Sequence, residues 1–196
     1  NYTNENKLKN VETSDLKKTI EMTTGQNLDW FFKQWLYEPG FPNYDVSWNY
    51  NQRKKELSIH VKQTQDLKTT SLFKMPIKII VDNGEKKEHV IWVDNLDSVY
   101  KIKSDKRPKM VIFNSGQRVP SNLKMQKSVA DLKYQLQNAS NALDRIWSAK
   151  ELSKKKGRKV VEYALVEAAK NDPFWAVRSE AYSALGRLKT NIVSED

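Results

Sequence analysis

Apolar residues change their spacing at about residue 43, where a helical period gives way to alternation. The stretch YDVSWNY at 44–50 has an apolar residue at every second position, and LSIHV at 57–61 repeats this after a polar turn. Side chains of a strand point alternately to opposite faces, so both stretches are predicted to be strands with one buried face. Their separation predicts a hairpin.

Further strands are predicted as far as residue 118. The candidates are FKMPIKIIV at 73–81, HVIWV at 89–93, and shorter runs at 99–102 and 110–113. The turn DNGE at 82–85 contains Asn-Gly, which accepts the positive φ angles of a tight hairpin. Pro76 cannot donate to a ladder, so we expect it at an edge or a bulge. Together the strands predict a small antiparallel β-sandwich.

The segment before the sandwich has helical spacing. Thr13 or Ser14 is predicted to cap a first helix, which Gly25 ends. Asn27 is predicted to cap a second helix over 28–36, whose apolar residues follow the i, i+3, i+4, i+7 pattern. This aromatic-rich stretch could stack nucleobases or sugars, but helical spacing favours a packed core.

Helical spacing returns from about residue 119. The apolar positions predict four helices, at 129–136, 143–147, 160–168 and 175–188. Asp172 is predicted as the N-cap of the last helix, with Pro173 at its first position. Two short helices around an Asp-Pro turn, with small alanines between them, suggest one unit of a helical solenoid.

These patterns predict an α+β multidomain fold. Its parts are a short helical segment (1–42), a small antiparallel β-sandwich (43–118) and an α-helical, HEAT-like repeat region (119–196). No apolar run approaches the roughly 18 residues of a membrane span. The sequence begins without Met, which suggests a fragment of a longer protein. We expect a soluble protein from a bacterium and leave open whether its compartment is the periplasm or the cytoplasm.

The net charge of +10 raises the possibility of a nucleic-acid partner. The lysines are spread along the whole chain, however, and the densest runs, at 53–55 and 154–159, fall where turns are expected. A solvated, lysine-rich surface therefore explains the charge better, and no nucleic-acid partner is expected.

Groups able to catalyse a reaction are scarce. The chain has no cysteine, and its two histidines, His60 and His89, fall in predicted strands outside any H-E-x-x-H pattern. Ser115 and Gly116 follow a strand without a nucleophile elbow, which favours a plain turn. Asp94 and Asp97 flank a predicted turn, where solvation or capping explains them. We assign no catalytic, metal-binding or cofactor-binding residue.

One segment resembles a known family. From Glu12 to Tyr50 the chain is similar to the end of the catalytic domain in the aminopeptidase N family of zinc metallopeptidases, where the chain enters a small β-sandwich. The pattern is T-x-D-L, then S/T-G-x-x-L-x-x-F-F-x-x-W-L, then G-x-P. The matching residues are Thr13, Asp15, Leu16, Thr24, Gly25, Leu28, Phe31, Phe32, Trp35, Leu36, Gly40 and Pro42. The tail from Asp172 to Leu188 is similar to the helical repeats that end several members.

The resemblance implies zinc in the full-length parent protein and peptides as its substrates. The family's H-E-x-x-H…E zinc site, its G-x-M-E-N motif for the substrate amine and its oxyanion-stabilising tyrosine lie upstream of the matched segment. The first two motifs are absent here, and Tyr2 lies too close to Thr13 to be that tyrosine. No catalytic residue is therefore transferred.

The resemblance leads to the hypothesis of a non-catalytic C-terminal part of a zinc aminopeptidase. It would brace its own N-terminal catalytic domain and shape substrate access. The aromatics of 28–36 would then pack against that domain on one side and near Phe41, Tyr44 and Trp48 on the other. The alternative is an interaction scaffold of the same architecture without peptidase activity, like a large subunit of the general transcription factor that contains the TATA-binding protein. A third possibility is a free-standing nucleic-acid binder.

Overall fold

A computed structural model describes residues 2–155 and 159–193 of the chain, with side chains as far as residue 188. Its helices are α1 (Tyr2–Glu5), α2 (Thr13–Thr24), α3 (Asp29–Phe32), continued by a π turn (Lys33–Tyr37), α4 (Val129–Asn138), α5 (Ala142–Leu152), α6 (Lys159–Asn171) and α7 (Trp175–Val193). Its strands are β1 (Asn43–Asn51), β2 (Glu56–Gln63), β3 (Met75–Asp82), β4 (Lys86–Val93), β5 (Asp97–Lys103), β6 (Met110–Phe113) and β7 (Asn122–Met125). The predicted α+β class is confirmed.

Two sheets form the sandwich. One has the order β5-β2-β1-β7 and the other the order β4-β3-β6. β1 and β2 form the predicted antiparallel hairpin, with Trp48 opposite Ile59. The seventh strand, β7, was not predicted, and it runs parallel to β1. The sheet therefore continues beyond residue 118, and the first helix after β7 begins at Val129. Because β7 is parallel to β1, the sandwich is mostly rather than wholly antiparallel.

Pro76 lies in the central strand of its sheet rather than in an edge strand. β3 pairs with β4 along its whole length, without a break in register at Pro76. β6, however, pairs only with Ile79–Asp82. Pro76 therefore has a strand neighbour on one side only, which is how a residue without an N–H is accommodated in a central strand.

The predicted helix caps are partly wrong. The N-cap of α2 is Glu12 rather than Thr13 or Ser14, and it forms a capping box with Asp15. Gly25 ends α2 in the left-handed conformation, as predicted. At α7 the first backbone bonds are accepted by the Phe174 carbonyl, two residues after the predicted N-cap Asp172, whose carboxylate accepts from the Phe174 N–H.

The four predicted C-terminal helices are present as α4 to α7 and enclose a core of their own. Its buried residues are Leu132, Leu136, Ala149, Leu152, Val161, Ala164, Leu165, Ala169, Val177, Ala181, Ala184 and Leu188. The helices form two hairpins, α4–α5 and α6–α7. The hairpins stack with α4 on α6 and α5 on α7. Trp147 packs against both this core and the sandwich core, which joins the two layers. No helix in the described part of the chain is long and apolar enough to cross a membrane.

Candidate functional site

The polar residues considered in the sequence do not converge. His60 lies in β2 and His89 in β4, which belong to different sheets. The His60 ring contacts the Asp97 carboxylate, and this bond, aided by Lys62, lowers the pKa of Asp97. Residues 2–155 and 159–193 contain no group of three His, Asp or Glu that could hold a metal.

Ser115 lies in the predicted turn but has a structural partner. Its Oγ donates a hydrogen bond of 2.6 Å to Asp144 Oδ2, and the Gly116 N–H donates one of 2.9 Å to Asp144 Oδ1. Neither histidine bonds to this pair, so the Ser–His arrangement of a serine nucleophile is not formed here. The contact instead fastens the 3-10 turn after β6 to helix α5.

The aromatic stretch packs on the sandwich, as expected of a core. Trp35 lies with its ring centroid 5.2 Å from that of Phe73, and its Nε1–H points at Met75 Sδ, 3.3 Å away. Trp30 meets Trp92 edge to face at 5.7 Å. The predicted neighbours were Phe41, Tyr44 and Trp48. Tyr44 belongs to the core cluster against which Trp30, Trp35 and Trp48 pack.

The π turn changes which of its residues are buried. A π turn carries more residues per turn than an α-helix, so it rotates the positions that follow it. Leu36, predicted on the apolar stripe, is exposed, whereas Gln34 is buried. We define the aromatic joint as residues 30–35 together with Phe73, Met75 and Trp92.

Two buried glutamines fix the main chain inside the aromatic joint. Gln34 Oε1 accepts from the Lys74 N–H at 2.7 Å, and its amide donates to the Lys74 carbonyl at 3.4 Å. Gln63 bonds both main-chain groups of Phe73, at 2.8 and 3.0 Å. Each side-chain amide therefore takes the place of a neighbouring strand for one residue. Sequence reasoning missed both residues, and a polar Gln34 within an apolar stripe was the available signal.

The outer side of the N-terminal segment is uncovered. Helix α2 has no buried residue. It is tied to α3 by polar contacts, including a 2.7 Å bond from the Leu28 N–H to Glu21 Oε1 and the Lys17–Asp29 ion pair. We define the outer apolar face as the exposed large apolar residues Leu8, Val11, Leu16, Met22, Phe31, Leu36, Tyr37 and Phe41.

A cleft of about 610 Å³ lies between the sandwich and the helices. Lys127, in the connector between β7 and α4, lines it and is almost fully buried. Its ammonium donates to the Val111 carbonyl at 2.5 Å and to Gln135 Oε1, and it stands 5.4 Å from the centre of the Trp147 ring. One side chain therefore ties β6 to helices α4 and α5.

Stability is expected to depend on the charge of Lys127. Burial lowers its pKa from 10.5 to about 7, although Asp131 and Asp144 partly oppose this. Between these two values the unfolded chain binds more protons than the folded one, so this group makes the free energy of unfolding rise with pH from 7 to 10.5. Urea titrations across this range should show that rise, and Lys127→Met should remove it.

The matched control for this pH dependence is Lys124→Met. Lys124 is exposed and pairs with Asp45 on the surface, so its removal should leave the rise in place. A Lys127→Met variant with the same pH dependence as the unaltered chain would contradict the assignment.

The fold has a solved relative. The chain is similar to the crystal structure of Legionella pneumophila aminopeptidase A in complex with aspartic acid, with a TM-score of 0.72 and 18% sequence identity. The similarity covers 88% of this chain and 22% of that chain. This chain thus has an aminopeptidase-like fold over about a fifth of that enzyme's length. No protein-family model and no curated relative matches the sequence.

Proposed function

We propose that the chain is a non-catalytic C-terminal part of a zinc aminopeptidase, which braces the catalytic domain and shapes substrate access. The observation that carries this proposal is the outer apolar face. Eight large apolar residues between Leu8 and Phe41 are exposed, whereas Trp30 and Trp35 of the same segment pack in the aromatic joint. Exposed apolar surface of this kind marks an interaction site.

The bend between the aromatic joint and β1 is fixed by close packing and by hydrogen bonds. Gly40, at the bend into β1, has φ of 88°, and a Cβ there would stand 2.6 Å from Thr70 Oγ1. The next residues are held in the sheet, since the Asn122 N–H donates to the Pro42 carbonyl and the Thr64 N–H to the Asn43 carbonyl. A domain docked on the outer apolar face would therefore keep a fixed orientation relative to the sandwich.

The fold similarity supports the same proposal, because the solved relative is an aminopeptidase. Zinc, the peptide substrates and the reacting groups would then belong to the upstream catalytic domain. The part played by this chain is mechanical: it would present the outer apolar face to that domain and hold it through the aromatic joint.

The test compares this chain with the longer protein that includes the residues preceding Asn1. We expect an H-E-x-x-H motif in that upstream sequence. Hydrogen–deuterium exchange should slow in α2 and in residues 36–41 of the longer protein, and remain unchanged in β4 and β5. Unchanged exchange in α2 would contradict the docking. An upstream sequence without the zinc motif would favour the non-catalytic scaffold.

A further inference from the structure

The edge of the four-stranded sheet at β7 has unpaired main-chain groups. The Asn122 N–H donates to the Pro42 carbonyl, and the register places Asn122 and Lys124 in the bonding positions of the parallel ladder with β1. Bonding positions alternate along a strand, so Leu123 and Met125 direct their N–H and C=O groups away from β1. Within the described residues, no backbone partner meets these groups.

The neighbouring sheet edge, at β6, differs because a side chain meets one of its main-chain groups. β6 is an edge strand of the three-stranded sheet, and its residues Ile112 and Phe113 line the same cleft as β7. There the Val111 carbonyl is met by the buried Lys127 ammonium. One carbonyl of the β6 edge therefore has a side-chain partner, whereas the outward groups of Leu123 and Met125 in β7 have no backbone partner among the described residues.

The 610 Å³ cleft runs along this open edge. Its lining includes Asn122, Leu123 and Met125 of β7 on one wall and Ile146, Trp147 and Lys150 of α5 on the other. No β1 or β2 residue lines it, so the cleft is on the unpaired side of β7. Four strand residues span about 13 Å, which is the length over which a ladder could form.

We propose that this cleft binds an extended peptide segment, which adds a strand to β7. Strand addition uses main-chain hydrogen bonds for affinity and alternate side chains for specificity. Peptide side chains on the inner face would contact Ile146 and Trp147. The proposal is independent of the bracing function, because the cleft and the outer apolar face lie on different parts of the chain.

The charges in the cleft favour a peptide with a carboxylate. Glu151 pairs with Lys154 at 2.6 Å, and Glu180 pairs with Arg187. The Asp144 carboxylate is occupied by Ser115 and Gly116. The Lys150 ammonium makes no hydrogen bond or ion pair with the described residues. Two lysines that line the cleft, Lys127 and Lys150, have no carboxylate partner among the described residues. Lys150 is the exposed one of the two, so its ammonium is the charge that a peptide glutamate could meet.

The experiment uses a fluorescein-labelled, capped pentapeptide of alternating threonine and valine with a central glutamate. Its anisotropy is titrated with the chain and with two variants at Leu123. Leu123→Pro removes the outward N–H but keeps the extended backbone that β7 already has. Leu123→Ala shortens the side chain and keeps that N–H. We expect Leu123→Pro to bind about five- to tenfold more weakly than Leu123→Ala, as the loss of one main-chain hydrogen bond requires.

A second readout does not depend on the folding of the variant. In the unaltered chain, saturating peptide should slow amide exchange at Leu123 and Met125 and leave β5, the opposite edge, unchanged. Equal affinity of the proline and alanine variants, no binding by the unaltered chain, or unchanged exchange at β7 would each overturn the proposal. So would a dimer in light scattering that the Leu123→Pro variant abolishes, because a second copy would then occupy the edge.

Discussion

Arg145→Met is expected to lower the free energy of unfolding of the helical region by about 3–5 kcal/mol, the range for breaking a buried ion pair by removing one partner. The Arg145 guanidinium binds Asp172 through two bonds, of 2.7 and 3.0 Å, and both side chains are largely buried. Without Arg145 the Asp172 carboxylate remains buried and unpaired. Urea unfolding followed by helical circular dichroism measures the effect.

The size of this effect follows from where the pair lies. Arg145 is in α5, and Asp172 is in the turn between α6 and α7. Arg145 also donates to the Ala139 carbonyl, and Asp172 accepts from the Phe174 N–H at 2.9 Å. The pair therefore fixes one helical hairpin to the next, and its loss affects the contact between them.

The control for Arg145→Met is Lys154→Met, which breaks the more exposed pair with Glu151. Such surface pairs contribute about 0–1 kcal/mol. A loss in Arg145→Met no larger than in Lys154→Met would show that the buried pair does not hold the hairpins together.

Trp35→Ala is expected to lower the free energy of unfolding of the sandwich by about 2–3 kcal/mol. Complete burial of the ring would give about 3–5 kcal/mol, and Trp35 is only partly buried. The variant loses the contacts with Phe73 and Met75. Thermal unfolding of the chain checks this, and faster amide exchange over 29–37 should accompany it.

Tyr37→Ala is the matched control for the aromatic joint. Tyr37 follows Trp35 by two residues in the same π turn, and its side chain is 71% exposed. Its removal should change the stability of the isolated chain by less than about 0.5 kcal/mol. An unchanged melting temperature in Trp35→Ala would show that the aromatic joint does not stabilise the sandwich.

The spacing of apolar residues predicted the elements that bury one apolar face. β1 to β4 alternate cleanly because one face of each is buried, and α6 and α7 have a continuous apolar stripe. β7 was missed because four residues, NLKM, are too short to show alternation, and because its partner β1 is 79 residues away at Asn43. The π turn was missed because its sequence has the spacing of an α-helix. The domain limits at residues 42 and 118 stay predictions.

The candidate sites were harder to predict than the fold, because their partners are distant in sequence. Lys127 appears in the sequence as one lysine among many, and its burial depends on Val111, Gln135 and Trp147 from three other elements. Ser115 was correctly placed in a turn, but nothing local indicates that Asp144, 29 residues later, accepts its hydrogen bond. Part of the 154–159 basic run lies outside the described residues.

The central claim is that this chain supplies supporting surfaces while the reacting groups lie elsewhere. Hydrolysis of amino-acid p-nitroanilides by the purified chain, with Zn²⁺ added, tests that claim most directly. We predict that the anilides are hydrolysed no faster with the chain than in buffer that contains Zn²⁺ alone. Turnover that rises in proportion to the concentration of the chain and stops on chelation would contradict it.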